Sequence, residues 1–350
     1  MCMIEAAVII VNWNGKNFLK ECFDSLAFQA LMNFKIFFVD NGSDDGSVEF
    51  LEENYIGKNK IEIEVIKLEN NTGFSFANNL GIQKAFADEN IKWVLILNND
   101  AKLDQNFFAE LSKCAKSYPG AGSIQPKVLS YYNPEKVDCA GILTSYDGVS
   151  TNRGFGADAS EFNKEKEIFG ANATAGLYAR EALEAVKIKV GEYFDNDFRM
   201  YYEDADLAWR MRLAGFKSFY CPRAEVFHLH SATAKRVSGL KAYYLNRNRF
   251  YVIFKNFPLK YLLLALLLTP ARYLIAPFRR PKEAKKTGEA GKIRKKAGSA
   301  GMILKAWLDV LGNLSSILAK RRIIRDNRRV SGKEINSWFQ KYGAKFKKTF

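Results

Sequence analysis

The string Tyr201-Tyr202-Glu203-Asp204-Ala205-Asp206-Leu207-Ala208-Trp209-Arg210 gathers the chain's densest set of groups able to move a proton. If it is helical, Asp206 and Arg210 stand at i,i+4 and pair on one face, a structural arrangement. Asp204 points elsewhere. A carboxylate at a helix start beside two tyrosines can take the proton of a hydroxyl as its oxygen attacks carbon, or it can be the ordinary negative charge that a helix N-terminus favours. A second string, Asn98-Asn99-Asp100, follows the apolar run 93–97. Asp100 there either offers a carboxylate to a hard cation that also takes phosphate oxygens, or caps the next helix. The chain has two histidines, His228 and His230, at i,i+2 and so on one face of a strand. They are candidates for a metal or phosphate contact, against the plainer role of packed or surface residues.

The elements that must position these groups are legible in the first 110 residues. Short β-branched or aromatic runs at 7–12, 35–40, 62–67 and 93–97 alternate with helical patterns near 17–28, 47–54 and 75–87. This βαβ alternation predicts a parallel α/β sheet. Ligands of such sheets bind beyond the carboxyl ends of the strands. Three of these strands end in polar loops: Asn12-Trp13-Asn14-Gly15, Asp40-Asn41-Gly42-Ser43 and Asn98-Asn99-Asp100. One such loop would be an ordinary turn, but three on one sheet mark a binding edge. The middle of the chain is less regular, and a loop is expected around 151–166, where a segment could cover a ligand.

Composition excludes several classes. With 350 residues, 48% of them hydrophobic, the chain can bury one substantial core and a smaller appendage. Its five cysteines are scattered and never form CxxC, so neither a disulfide framework nor a zinc site is implied, and a reducing compartment fits. The N-terminal MCMIEAAVIIVNW has no basic region ahead of its short apolar stretch, unlike a signal peptide, which predicts a cytoplasmic domain.

Residues 251–350 hold 24 Lys+Arg against 5 Asp+Glu, or +19, whereas residues 1–250 hold 29 against 33, or −4. The basic excess therefore belongs to the tail, which also carries an apolar run at 261–271 and a segment, 302–319, with apolar residues at helical spacing. Cationic residues beside amphipathic helices suit an anionic membrane surface. The apolar run contains Pro270 and stops at Arg272, short of the about 20 residues of a spanning helix, so an interfacial placement is expected, with a marginal span or re-entrant hairpin over 261–278 as the alternative. The stretch 279–301, rich in Lys, Ala and Gly, reads as a flexible basic linker. Nucleic-acid modules interleave basic residues with exposed aromatics in a recognisable fold, and this tail does not, so no nucleic-acid partner is expected. A nucleotidyltransferase would share the sheet and the metal but carries a Gly-rich phosphate loop after the first strand, where this chain reads Asn12-Trp13-Asn14-Gly15-Lys16.

The strings VIIVNWNG, FFVDNGSDDGS, NNTGFSFANNLGI, WVLILNND, GEYFDNDFRMYYEDADLAWRMRLAGFK, and HLHSAT followed by YYLNRNRFYVIFKN resemble family 2 glycosyltransferases, specifically their rhamnosyltransferase-like branch. Their order spans roughly residues 5–256. The resemblance implies the GT-A fold, a Rossmann-like, mostly parallel central sheet flanked by helices. It divides the chain into a catalytic domain at 1–256, with a nucleotide-binding half about 1–110 and an acceptor half about 111–256, followed by the basic amphipathic helical tail at 257–350.

By position, the resemblance implies that Asn12, Asp40, Asn41, Gly73, Asn78, Asn98 and Asn99 serve the donor. Asp100 falls on the last Asp of the DxD metal motif, His228 lies near the metal, and Asp204 falls on the catalytic base. Ala173, Thr174, Glu203 and His230 fall on the acceptor side. Asn98 departs from DxD, and its amide is a weaker ligand than a carboxylate. The implied cofactor is a divalent metal, Mg²⁺ or Mn²⁺. The implied reaction inverts the anomeric carbon, taking a sugar from a UDP- or dTDP-sugar to a saccharide or lipid-linked acceptor at the cytoplasmic face of a membrane.

Overall fold

A computed structural model describes residues 5–29, 34–58, 61–229, 238–275 and 300–343. The chain divides into two compact units, residues 1–142 with 152–230, and residues 143–151 with 231–350.

In the first unit, strands β1 (Ala6–Asn12), β2 (Phe34–Asp40), β3 (Glu62–Lys67) and β4 (Trp93–Leu97) alternate with helices α1 (Lys16–Ala27), α2 (Ser47–Asn54) and α3 (Phe74–Ala85). After β5 (Ala101–Leu103) come α4 (Phe107–Ser117), β6 (Ala121–Ser130) and β7 (Asn133–Cys139). β8 (Ile142–Thr144) and β9 (Ser150–Asn152), residues mostly of the second unit, pair as a small separate ribbon, and in the first unit β10 (Lys166–Ile168), β11 (Ala175–Ala179), α5 (Arg180–Val186), α6 (Glu203–Leu213) and β12 (Lys217–His228) follow. Among the described residues the main sheet runs β10-β12-β6-β11-β4-β1-β2-β3, with β5 on β12 and β7 on β6.

β4-β1-β2-β3 are parallel neighbours, as the βαβ pattern predicts, because each helix must return the chain to the same sheet edge. β1, β2 and β4 are buried over most of their length, so they read as continuous apolar runs rather than alternating ones. β11 enters antiparallel between β4 and β6, and β12 lies parallel to β6 with breaks in register near Cys221. The expected loop at 151–166 is mostly irregular but holds a short 3-10 turn, Ala159–Phe162, capped by the Asp158 carboxylate.

In the second unit, α7 (Ser238–Asn256), α8 (Leu259–Ile275), α9 (Ala300–Gly312), α10 (Leu314–Asp326) and α11 (Gly332–Lys341) surround an aromatic core. Phe250 meets Trp307, and Phe339 stacks on Tyr146. Buried Arg249 donates to the Asp147 carbonyl. The single helix expected at 302–319 is instead two helices broken at Asn313. Gly312 and Asn313 are weak helix formers, and the Asn313 side chain bonds back to the Asp309 carbonyl (2.8 Å). The linker expected at 279–301 lies almost wholly outside the described residues. Among the described residues no helix is long and apolar enough to cross a membrane.

Candidate active site

Asn12 and Asp40 are register partners at the carboxyl ends of β1 and β2, so parallel pairing alone sets them side by side. Asn12 Nδ2 donates to Ser43 Oγ (3.1 Å) and Asp40 Oδ1 (3.4 Å), and Asn99 Nδ2 donates to Asn12 Oδ1 (2.6 Å). Gly15 leaves room for both amides, since a Cβ would lie 2.1 Å from Asn99 Nδ2 and 2.5 Å from Asn12 Oδ1 and would force these side chains to shift.

Asn41 organises the next loop. Its Oδ1 accepts from the Thr72 N–H (2.8 Å) and hydroxyl (2.9 Å), and its Nδ2 donates to the Gly73 carbonyl (3.3 Å). Gly73 opens α3 at φ +91°, and a Cβ there would strike the Arg199 side chain and carbonyl. Asn12, Asp40, Asn41, Gly73 and Asn99 thus share one network at the sheet edge. Asn78 is buried and donates to the Phe74 carbonyl of its own helix (2.9 Å), and its Oδ1 has no hydrogen-bond partner in the protein.

A second corner joins β4, β7 and β12. His228 Nε2 lies 3.3 Å from Asp100 Oδ1, and its Nδ1 lies 2.8 Å from Asp138 Oδ2. Burial opposes protonation of the imidazole, but the two carboxylates outweigh it and push His228 up to about 9.

These residues fit a divalent cation. Adjacent ligands of an octahedral ion at about 2.1 Å stand about 3 Å apart, close to the Asp100–His228 separation. The carboxylate behind Nδ1 is the partner that a metal-binding imidazole uses to present its other nitrogen. No group of three or more His, Cys, Asp or Glu side chains is arranged as a cation cage among the described residues. Substrate phosphate and water would complete such a shell. Asn98, half-buried, donates its backbone N–H to the Thr174 carbonyl (2.9 Å).

Asp204 opens α6. The Ala205 N–H meets its Oδ1 at 2.7 Å, and Asn172 Nδ2 (2.8 Å) and the Ala173 N–H (3.5 Å) meet Oδ2. Burial raises the Asp204 carboxyl above the usual range, against the backbone N–H groups that favour its ionised form. Glu203 is buried with one carboxylate oxygen unpartnered, and burial, then repulsion from Asp204, pushes it well above the normal range. Just ahead, Arg199, Tyr201 and Tyr202 hold φ of 58°, 66° and 71°, left-handed conformations that cost such residues about 1 kcal/mol or more each. Strain is thus concentrated at the entry to the carboxylate pair.

Ala173 and Thr174 lie between Asp204 and the Asn98 loop, and His230 lies outside the described residues. Sequence reasoning missed Asp138; it placed Gly15 and Ser43 in the polar loops of the sheet edge and, by resemblance, Asn172 in the acceptor-side segment 169–176, but not the partners that the fold gives them. The glycine in VNWNG was a usable signal for Gly15. Asp138 and Asn172 sit in unremarkable strings, and only the fold brings them to their partners.

Residues 7–186, about half of the chain, match the family described as Glycosyl transferase family 2. A low-salt glycan biosynthesis hexosyltransferase, Agl10, of Haloferax volcanii is 23% identical, covering 70% of this chain and 74% of its own. An N-acetylglucosaminyl-diphospho-decaprenol L-rhamnosyltransferase of Mycobacterium tuberculosis is 24% identical, covering 68% and 80%. An uncharacterised protein of Sinorhizobium fredii, y4gI, is 23% identical over 65% of this chain, which spans only 24% of y4gI. Among solved structures, residues 1–349 of TarS from S. aureus align with a TM-score of 0.53 at 15% identity, covering 92% of this chain and 88% of that one. The mannosyltransferase PcManGT from Pyrobaculum calidifontis, solved with GDP-Man and Mn²⁺, aligns with a TM-score of 0.53 at 16% identity, covering 92% and 85%. At this identity the two likenesses speak to the fold alone, which is GT-A.

Proposed function

The chain belongs to glycosyl transferase family 2, and from that premise we propose that it transfers a sugar, with inversion, from a UDP- or dTDP-sugar to a hydroxyl of a lipid-linked saccharide in cell-surface polysaccharide assembly. The observation that carries this reading is the half-buried Asp204 carboxylate, joined through Asn172 and Thr174 to the loop that bears Asp100. Asn12, Asp40, Asn41, Gly73, Asn78, Asn98 and Asn99 would receive the nucleotide end of the donor, and Ala173, Thr174, Glu203 and His230 would line the acceptor side. The names of the Haloferax and Mycobacterium relatives support a glycan-building role, the latter with a lipid-diphosphate acceptor.

In the proposed step the acceptor oxygen attacks the anomeric carbon from the face opposite the diphosphate. The bond from that carbon to the diphosphate oxygen breaks, its electron pair leaves with the nucleoside diphosphate, and the hydroxyl proton passes to the Asp204 carboxylate. The carboxyl's raised proton affinity makes it a better base than a solvated aspartate. Asp100 and His228 would hold a divalent cation, Mg²⁺ or Mn²⁺, with Asp138 orienting the imidazole. When bound, the ion would offset negative charge on the leaving diphosphate. The polar sheet edge at Asn12–Asp40–Asn99 would orient the donor, so positioning and electrostatics are the protein's main contributions. Residues 257–350 are proposed to attach the catalytic domain peripherally to the inner face of the membrane.

The test is nucleoside diphosphate release from UDP-, dTDP- and GDP-sugars by the purified full chain. Release is expected with a UDP- or dTDP-sugar and should be silenced by EDTA. Asp204→Asn should lower turnover by roughly two to four orders of magnitude while donor binding changes little. Full activity in EDTA would remove the metal from the reading, and normal turnover of the variant would remove Asp204 as base.

A further inference from the structure

We infer that Asn172 is the positioning residue of the Asp204 carboxylate, fixing Oδ2 in one orientation and favouring its ionised form; this rests on the proton-accepting role proposed for Asp204. The amide is locked from several sides. Its backbone N–H donates to Oε1 of Gln125, a fully buried side chain of β6 (2.6 Å). Its Oδ1 accepts from the Thr174 N–H (2.9 Å), closing an Asx turn. With the acceptor so used, Nδ2 is left to donate, and it meets Asp204 Oδ2 at 2.8 Å with Asn152 Oδ1 at 3.5 Å.

The opposite amide orientation would set an oxygen against a carboxylate and an NH₂ against the Thr174 N–H. The network therefore dictates which atom faces the base. The same turn reaches the other corner, since the Thr174 carbonyl accepts from the Asn98 N–H (2.9 Å).

The surroundings make this donor matter. Asp204 faces Glu203 from α6, Tyr178 from β11 and Cys139 from β7, none of which brings positive charge. Burial therefore acts to protonate it, against the backbone N–H groups of Ala205 and Ala173, and the Asn172 amide adds a side-chain donor at 2.8 Å. An amide N–H directed at a carboxylate oxygen favours the charged form.

Two variants separate this role from a merely structural one. Asn172→Ala removes both the donor and the Asx-turn acceptor. Asn172→Asp keeps the acceptor for the Thr174 N–H and so the turn, but replaces the donor with a like charge. In the full chain labelled with ¹³C at aspartate carboxyls, the Asp204 resonance is identified by its loss in Asp204→Asn. It is expected to titrate about one pH unit higher in Asn172→Ala than in the wild type, and higher still in Asn172→Asp. The acidic limb of nucleoside diphosphate release, with water as acceptor, should move with it, and the donor KM should stay within about twofold. An unshifted Asp204 titration in both variants overturns the inference, whatever their activity. A shifted titration with normal turnover of Asp204→Asn leaves the positioning intact and overturns the base.

Discussion

Glu203 and Asp204 are neighbours in the chain with opposite surroundings. Asp204 is supplied with N–H donors, whereas Glu203 is buried with an unpartnered oxygen beside a like charge. The consequence for stability has an unusual sign. A carboxyl whose folded pKa lies above its unfolded value keeps its proton more readily in the native state. Its contribution to stability is therefore present at low pH and is lost as pH rises through the unfolded value, near 4.5, toward the folded one. Glu203→Gln cannot ionise, so its stability relative to the wild type should grow as pH rises above that unfolded value, as read from urea midpoints across pH. A gap that narrows with rising pH would show that Glu203 is ionised and paired in the native state. At this scale the sequence was informative where chemistry sits in a dense string, as at Asp204, or ends a strand, as at Asp100. It did not pair Asn172 with Asp204 or Asp138 with His228, partners 32 and 90 residues apart. Nothing local distinguishes an asparagine that faces a carboxylate from one that makes a turn.

The element that holds the carboxylate pair is α6, and it is buried on nearly every side. Within it Asp206 and Arg210 pair at 2.8 Å, as the i,i+4 spacing predicts, with side chains 0% and 1% exposed. The Arg210 guanidinium also donates to the carbonyls of Val186 (2.6 Å) and Tyr193 (2.7 Å), fastening the helix to the segment after α5. Removing one member of a buried pair leaves an uncompensated charge, so Asp206→Ala should cost about 3–5 kcal/mol in urea denaturation. The apolar double variant Asp206→Leu with Arg210→Met should lose less than Asp206→Ala alone, since it leaves no stranded charge. Equal losses would mean that the Arg210 contacts to the two carbonyls, rather than the ion pair, hold α6. The parallel half of the sheet was legible because runs such as Val94–Leu97 between helical periods have one economical arrangement. The second half was not, because β11 pairs with β4 from some 80 residues away, with Ala175 opposite Leu97, and no local pattern encodes an antiparallel insertion. The break at Asn313 was hidden by apolar spacing that continues through it, with Val310, Ile317 and Ile324 buried on both sides.

At the scale of the whole molecule, charge and exposed apolar surface both concentrate beyond residue 250. Residues 251–350 carry +19, and the helices of the second unit show leucines outward. On α8 the buried positions are Tyr261, Ala265 and Thr269, spaced by four, and the opposite face presents Leu259, Leu263 and Leu267, 65%, 53% and 76% exposed. A helix that hides an alanine and a threonine while exposing three leucines is inverted relative to an ordinary surface helix. α9 adds Leu304, Leu308 and Leu311, also exposed. Withdrawing each such leucine from water would contribute about 1–2 kcal/mol, and each basic residue near an anionic leaflet about 1 kcal/mol. The two contributions add, so the proposed peripheral binding should respond to the loss of either. The full chain is therefore expected to co-sediment with phosphatidylcholine vesicles that contain phosphatidylglycerol, and weakly with phosphatidylcholine alone. Raising the salt should weaken binding without abolishing it, because the leucine contribution is not screened. The double variant Leu263→Glu with Leu267→Glu exchanges two apolar contacts for two repelled charges and should bind the anionic vesicles at least about tenfold more weakly. Its release of nucleoside diphosphate with water as acceptor should be unchanged, since that reaction needs no membrane. If the variant binds vesicles as the wild type does, the α8 leucines serve another purpose and the basic residues alone account for attachment. If the wild type ignores anionic vesicles even at low salt, the membrane reading of residues 257–350 is wrong.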